Sequence, residues 1–175
     1  MEEWEFEEEE ETKLKKVYIF LVSFFILTIF LVYIFSTSVG AGILASLISS
    51  STVENNELDF SFDGRLIFEE DSLEELKKVY FDNLKVEFKA CLNGRKLNNV
   101  YFIDEVHIPV TYSQKFNQVI AEPCSEDSLV SLHSHPYKRC IPSEQDFRSF
   151  ASFKERQKEG LMIVMCEPGR FGVYE

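Results

Sequence analysis

The chain has 175 residues, of which 30 are acidic and 18 basic, giving a formal net charge of −12. A nucleic-acid-binding surface requires a basic stripe, so this acidic balance argues against a nucleic-acid partner. The length suffices for one compact domain in addition to a membrane-spanning segment.

The first predicted element is an acidic tail over residues 1–16. Eight of its glutamates fall within the first eleven positions. Blocks of like charge are typical of solvated, disordered segments, so we expect this tail to carry no chemistry of its own.

The second predicted element, residues 17–38, is a single transmembrane helix. Nineteen successive residues, from Val17 to Phe35, carry no charge, and at helical rise they roughly match the thickness of a hydrocarbon core. A cleavable signal peptide is the alternative, because the stretch from Ser38 to Ala41 offers small residues suited to a cleavage site. We favour a retained anchor, since the apolar run is longer than that of an ordinary signal peptide and follows an acidic tail.

The charges that flank this helix predict its orientation. Lys13, Lys15 and Lys16 immediately precede the helix, whereas Arg65 is the first basic residue after it. The positive-inside rule therefore places the N-terminus in the cytoplasm. A single crossing would then leave the rest of the chain outside.

Residues 39–57 are predicted to form a juxtamembrane linker, and residues 58–175 a folded domain. The domain's two predicted helices begin at Ser72 and Ser143, each followed by apolar residues at helical spacing. Its predicted strands are residues 58–62, 65–68, 85–92, 100–109, 118–123, 128–135, 161–166 and 172–174. This order indicates an α/β fold in which a mixed or antiparallel β-sheet is sandwiched with helices.

The strongest motif is H-S-H-P at residues 133–136, followed by Ser143 and Asp146. Residues two apart in a strand point to one face, so the imidazoles of His133 and His135 can reach one ion. Asp146 falls on the first turn of the predicted helix, where the helix dipole keeps its carboxylate ionised. Two imidazoles and one carboxylate leave a fourth tetrahedral position for water, which is the arrangement of a catalytic zinc site.

Simpler interpretations of these residues exist. Ser143 and Asp146 also fit an ordinary capping box, and histidines at alternate strand positions also occur as polar surface or as satisfied core groups. The chain has only three histidines, and this combination at fixed offsets should arise by chance on the order of once in several thousand such chains. We therefore favour the metal site, and assign a structural role to the third histidine, His107.

Hydrolysis at such a site needs a general base, and a carboxylate within hydrogen-bond reach is the usual solution. Glu87, Glu105 and Glu122 are the upstream candidates. In the strand predicted around Glu87, apolar residues alternate onto one face and leave the glutamate on the other. A surface glutamate flanked by Lys85 and Lys89 is the alternative.

The pattern H-S-H-P-x6-S-x-x-D resembles the zinc-site signature of the JAMM (MPN-plus) metalloproteases. The run from Val86 to Gly94 is similar to the first core strand of that family, which begins with the catalytic glutamate after an N-terminal helix. The predicted element order is similar to the MPN fold across almost the entire domain. The resemblance favours Glu87 among the three candidate bases.

The resemblance also implies a role for each residue of the motif. His133, His135 and Asp146 would bind one zinc ion (Zn2+) per chain. Glu87 would activate the water, and Ser143 would help to stabilise the developing oxyanion. The enzyme would then be a zinc metalloprotease that cleaves an isopeptide or peptide bond after the C-terminus of a ubiquitin-like or sulfur-carrier-like protein.

Two features depart from the family pattern. The short connections between predicted elements leave no room for the long insertions with which linkage-selective relatives grip a second ubiquitin. The added transmembrane helix suggests substrates or partners at the membrane, although conjugates of ubiquitin-like proteins are expected inside the cell. The membrane side of the domain therefore stays undecided. Whether the chain forms a homodimer is also undecided. The alternative function is a membrane-tethered MPN scaffold that binds zinc without turnover.

The four cysteines are Cys91, Cys124, Cys140 and Cys166. Their number permits two disulfides, but their spacing proves none. Cys124 with Cys140 is one candidate pair if the domain lies in an oxidising compartment. Cys140 could instead occupy the open coordination position as a redox-sensitive brake, against the default of a buried, inert thiol.

Overall fold

The structure is a computed structural model that describes residues 2–36, 45–46, 48–60, 63–136 and 139–175. The backbone contacts divide the chain into two units, Met1–Gly42 and Ile43–Glu175. Each unit has its own internal contacts and is described separately below.

The first unit contains helix α1, Glu2–Ser36. Within it, Lys13–Ser36 has a mean hydropathy of 2.7 and is long and apolar enough to cross a membrane. Residues 37–38 of the predicted span lie outside the described residues. The helix also runs through the acidic tail that we expected to be disordered, which accords with the high helix propensity of glutamate and with the stabilising effect of acidic residues near a helix N-terminus.

The second unit contains a large mixed β-sheet and two described helices. The helices are α2, Ser72–Asp82, and α3, Glu144–Arg156. The strands are β1 (Ser50–Thr52), β2 (Glu57–Phe60), β3 (Gly64–Phe68), β4 (Lys89–Leu97), β5 (Val100–His107), β6 (Thr111–Lys115), β7 (Gln118–Ala121), β8 (Ser128–Ser134), β9 (Leu161–Glu167) and β10 (Arg170–Tyr174).

Among the described residues, eight strands form one sheet in the order β1-β10-β9-β8-β4-β5-β3-β2, and β6 with β7 forms a separate hairpin. The pairs β3–β5 and β8–β9 are parallel, whereas β8 and β4 are antiparallel. The sequence therefore predicted the α/β class and the mixed sheet correctly. Strands β8 and β9 lie in the interior of the sheet, and nearly all of their residues are buried, as expected for strands covered on both faces.

Alternation along the central strands directs side chains to opposite faces of the sheet. Ala90 and Leu92 of β4 belong to the main core with Leu73 and Leu76 of α2. Cys91, between them, belongs to a second cluster on the other face. That cluster consists of Cys91, Cys124, Met162 and two phenylalanines of α3, Phe150 and Phe153. The two helices thus cover opposite faces of the sheet.

Several predicted boundaries differ from the structure, and strand β6 was not predicted. Strand β4 begins at Lys89, four residues after its predicted start, since Glu87 and Phe88 bond to β6 and to the end of β8. Residues 50–52, which we placed in the linker, pair with β10 as an edge strand. Both β1 and β6 are short and polar, so neither has the apolar alternation by which strands are predicted.

Candidate metal centre

Both histidines of the H-S-H-P motif lie where the central strand β8 ends. His133 is the next-to-last residue of β8, and His135 follows the strand. Their side chains are buried, and their ring centroids are 4.9 Å apart. The backbone N–H of His135 donates to the Met165 carbonyl at 2.9 Å. Because β8 pairs on both sides, the sheet fixes the positions of the two imidazoles.

Asp146 lies on the first turn of α3 and faces both histidines. Its Oδ1 is 3.4 Å from Nε2 of His133, and its Oδ2 is 3.4 Å from Nε2 of His135. The same Oδ2 accepts hydrogen bonds at 2.6 Å from the backbone N–H and the hydroxyl of Ser143. Ser143 in turn accepts a hydrogen bond from the Asp146 N–H at 3.3 Å. The capping box is therefore present, and the Asp146 carboxylate that completes it also contacts both histidines.

These three side chains can hold a metal ion. One candidate ligand atom from each of His133, His135 and Asp146 lies within 4.8 Å of the others. Nε2 of His133 is buried, and its 3.4 Å contact with Asp146 Oδ1 does not amount to a hydrogen bond, which is costly for a polar nitrogen and accords with a ligand position. Nδ1 of His135 lies 3.0 Å from the carbonyl of Arg139, and a proton donated from Nδ1 would leave Nε2 free to ligate.

The site also favours the protonation states of metal ligands. Burial lowers the pKa of His133, and the nearby Asp146 carboxylate offsets this effect only in part. Burial alone would raise the pKa of Asp146, but His133, His135 and Ser143 hold it well below its usual range. A neutral imidazole and an ionised carboxylate are the forms that bind metal ions.

Glu87 is the candidate base that the structure brings to this site. It is buried, and its Oε1 is 3.6 Å from Nε2 of His135. The pKa of Glu87 is raised to about 7, chiefly by burial; the neighbouring His135 lowers it and Asp146 raises it. The backbone N–H of Glu87 donates to the carbonyl of Lys115 at 2.8 Å.

The neighbour of Glu87, Phe88, is bonded to Ser134 in both directions. The N–H of Phe88 donates to the Ser134 hydroxyl at 3.0 Å, and the N–H of Ser134 donates to the Phe88 carbonyl at 2.9 Å. Ser134 therefore fastens the Glu87 segment beside the histidines. No role was predicted for Ser134, although a polar residue between two candidate ligands is itself a signal for such a role.

The other candidates lie apart from this group. Glu105 accepts a hydrogen bond from the Asn93 side chain at 2.8 Å, and Glu122 accepts one from the Tyr112 hydroxyl at 3.2 Å. Both glutamates are exposed, as is His107 on β5. None of these three residues belongs to the histidine–aspartate group, so of the candidate bases only Glu87 lies beside it.

The cysteines form two disulfides, Cys91–Cys124 and Cys140–Cys166. The candidate pair Cys124–Cys140 is therefore wrong. Cys91 points to the face of the sheet that also contains Cys124, whereas Cys140 meets the end of β9. Cys140 is fully buried in its disulfide, so it offers no free thiol to an open coordination position.

A scan of the sequence against protein-family models finds no matching family, and a search of the curated proteins finds no match. A functional assignment therefore rests on two things, the residues of the metal centre and the resemblance of their spacing to the JAMM signature.

Proposed function

We propose that the chain is a membrane-anchored zinc metalloprotease of the JAMM type, with a domain of the MPN fold. Its substrates would be ubiquitin-like or sulfur-carrier-like proteins, cleaved at the isopeptide or peptide bond that follows their C-terminus. The observation that carries the proposal is the grouping of His133, His135 and Asp146 beside one buried glutamate, Glu87.

The donor set favours zinc over the other common metal ions. Two imidazole nitrogens and one carboxylate are typical of catalytic zinc sites, whereas calcium and magnesium take oxygen ligands almost exclusively. The buried Nε2 of His133 accords with this choice, since its 3.4 Å contact with Asp146 Oδ1 is not a hydrogen bond and a bond to the metal would satisfy it.

Zinc, when bound, would polarise the scissile carbonyl and lower the pKa of a water molecule. Glu87 is suited to accept the proton of that water and to return it to the leaving amine, because its carboxylate lies beside the ligand His135. The hydroxyl of Ser143 donates a hydrogen bond to Asp146. To stabilise an oxyanion, this hydroxyl must turn from Asp146 toward the substrate.

The cysteines and the flanking charges together bear on the membrane side of the domain. Disulfides persist in oxidising compartments and are rare in most cytosols, and the folded domain contains two. Lys13, Lys15 and Lys16 favour a cytoplasmic N-terminus. Both features support a domain outside the cytoplasm, whereas conjugates of ubiquitin-like proteins are expected inside the cell. The membrane topology therefore also bears on the proposed class of substrate.

A topology measurement tests this placement. Reporter fusions at the C-terminus should be active only where the reporter functions outside the cytoplasm. A cytoplasmic C-terminus would overturn the placement. The two disulfides would then resemble those of intracellular hyperthermophile proteins, which also contain disulfides.

The activity is tested on the full chain in detergent. We expect one zinc per chain and chelator-sensitive cleavage of ubiquitin-like fusions. Glu87→Gln should abolish cleavage while zinc stays bound. Undiminished cleavage by that variant would contradict the base assignment, and absence of bound metal would contradict the site. One zinc per chain without turnover on any conjugate would favour the alternative of a membrane-tethered scaffold.

A further inference from the structure

A cleft of about 330 Å³ opens beside the metal centre, and His133 and Asp146 are among its lining residues. Its other walls come from β7 and the segment that follows, from β8 and from α3. A substrate that reaches the ligands from this side therefore occupies the cleft.

Two cations, Lys89 and Arg156, line this cleft. Nζ of Lys89 donates to the carbonyl of Glu122 at 3.0 Å, and the Arg156 guanidinium donates to the carbonyl of Cys124 at 3.1 Å. These acceptors are neutral. In the described part of the chain, neither cation forms an ion pair with a carboxylate.

This lack of pairing contrasts with four of the other five arginines of the chain. Four arginines, in a chain with a net charge of −12, form ion pairs with neighbouring carboxylates: Arg65, Arg95, Arg148 and Arg170. Acidic residues are thus plentiful enough to neutralise exposed arginines, yet Arg156 is left with backbone partners.

The two cations also lie near each other. Burial lowers the pKa of Lys89, and the positive charge of Arg156 lowers it further. The carboxylate of Asp146 is the acidic group of the cleft lining, and it is already bonded to Ser143 and directed at the histidines. Lys89 and Arg156 consequently form a positive patch with unused donors, to which Gln145 and Ser149 add polar groups.

We propose that the Lys89–Arg156 pair binds a carboxylate of the substrate, either an acidic side chain or a free chain terminus. Arginine matches carboxylate geometry with two parallel donors, and the pair would hold the substrate chain in the cleft beside the metal ligands. Cleavage of the bound substrate rests on the proposed function. Binding of the carboxylate depends only on the residues of the cleft.

Peptide binding tests the proposal directly. The full chain in detergent, zinc-loaded and carrying Glu87→Gln to prevent turnover, is titrated with fluorescent peptides of uniform length. One glutamate is moved through every position of the peptide, and each member is compared with its glutamine analogue and with its C-terminal amide. Fluorescence anisotropy gives Kd for each peptide.

We expect the neutral analogue to bind about tenfold more weakly at one position, which is the effect of one good charge-assisted hydrogen bond. Arg156→Gln should remove this difference, and Arg156→Lys should retain part of it. Arg148→Gln, on the same helix but outside the cleft, is the matched control and should keep the full difference. Lys89→Gln provides a second test, and melting temperatures verify that each variant is folded.

The outcomes separate the two sources of the carboxylate. A difference between glutamate and glutamine identifies an acidic side chain, whereas a difference between free and amidated peptides identifies a chain terminus. Equal affinity throughout, or a difference that survives both Arg156→Gln and Lys89→Gln, would overturn the proposal. Carboxylate preference without cleavage by the wild-type chain would leave this subsite intact and refute only the protease function.

Discussion

The two sides of the metal centre are positioned in different ways. The histidine side belongs to β8, whose backbone is hydrogen-bonded to β4 and β9 along its length. The aspartate side lies beyond a loop, on a helix that packs on the sheet through Phe150 and Phe153. The first turn of that helix depends on the Ser143 cap, the Cys140–Cys166 disulfide and a few single hydrogen bonds. The histidine side therefore shares the stability of the whole sheet. The position of the aspartate side can be weakened by removing single contacts.

The largest expected effect comes from the histidine side itself. His133→Ala removes a candidate ligand, so zinc affinity should fall by more than about 100-fold, beyond the range for loss of a ligand's hydrogen-bond partner. Zinc content after dialysis against a weak chelator measures the change. His107→Ala is the control, because His107 is exposed on β5, and it should retain the full zinc content. Equal loss in both variants would remove the basis for the site.

On the aspartate side, Ser143→Ala should have the next largest effect. The variant loses the N-cap and the hydrogen bonds that hold Asp146, which should cost about 1 kcal/mol of unfolding free energy and about 10- to 100-fold in zinc affinity. Turnover should fall by about two to three orders of magnitude if Ser143 also serves the oxyanion. Ser152→Ala, later in the same helix and away from the ligands, should leave zinc affinity unchanged. Normal zinc affinity in Ser143→Ala would show that Asp146 is positioned without its cap.

The two disulfides offer a matched pair of variants. They close loops of similar length, with sequence separations of 33 and 26 residues, so removing either should cost about 3 kcal/mol of unfolding free energy. Only the double variant Cys140→Ser with Cys166→Ser should also weaken zinc binding, by several-fold, because only this disulfide lies in the loop between the ligands. Thermal unfolding and zinc titration of both double variants measure the two effects. Equal zinc affinity in the two would contradict the assigned role of the loop.

The same contrast explains how much of the site was predictable. The alternation that aligns His133 with His135, and the cap that places Asp146 on a first turn, are local patterns that the sequence displays directly. The approach of Glu87 depends on the pairing of β4 with β8, which brings together residues 46 positions apart in the Phe88–Ser134 hydrogen bond. Periodicity carries no information about such pairing, and only the family resemblance favoured Glu87 over the other two glutamates.

Other features were unpredictable for the same reason. Which cysteine meets which depends on strand order, and the pair that we named, Cys124 with Cys140, joins residues that the structure places in different disulfides. The edge strand β1 is defined by its partner β10, since a stretch of serine and threonine shows no apolar alternation. The carbonyl of Arg139 that faces His135 has no sequence signal, because every residue offers a backbone carbonyl.

The smallest expected effect isolates a single hydrogen bond on the aspartate side. The hydroxyl of Tyr174 donates to the carbonyl of Cys140 at 3.0 Å, and that of Tyr101 donates to the carbonyl of Glu159 at 2.9 Å. Tyr174→Phe and Tyr101→Phe should each cost about 1 kcal/mol of unfolding free energy.

Zinc affinity separates these two tyrosines. It should fall only in Tyr174→Phe, and by less than about tenfold, because Cys140 lies in the loop that leads from the histidines to Asp146 whereas Glu159 lies beyond α3. Isothermal titration with zinc, paired with thermal unfolding of the metal-free protein, distinguishes a local effect on the site from a general loss of stability. If both variants bound zinc as tightly as the wild type, the loop would be fixed by its disulfide alone, and the aspartate side would be as rigidly positioned as the histidine side.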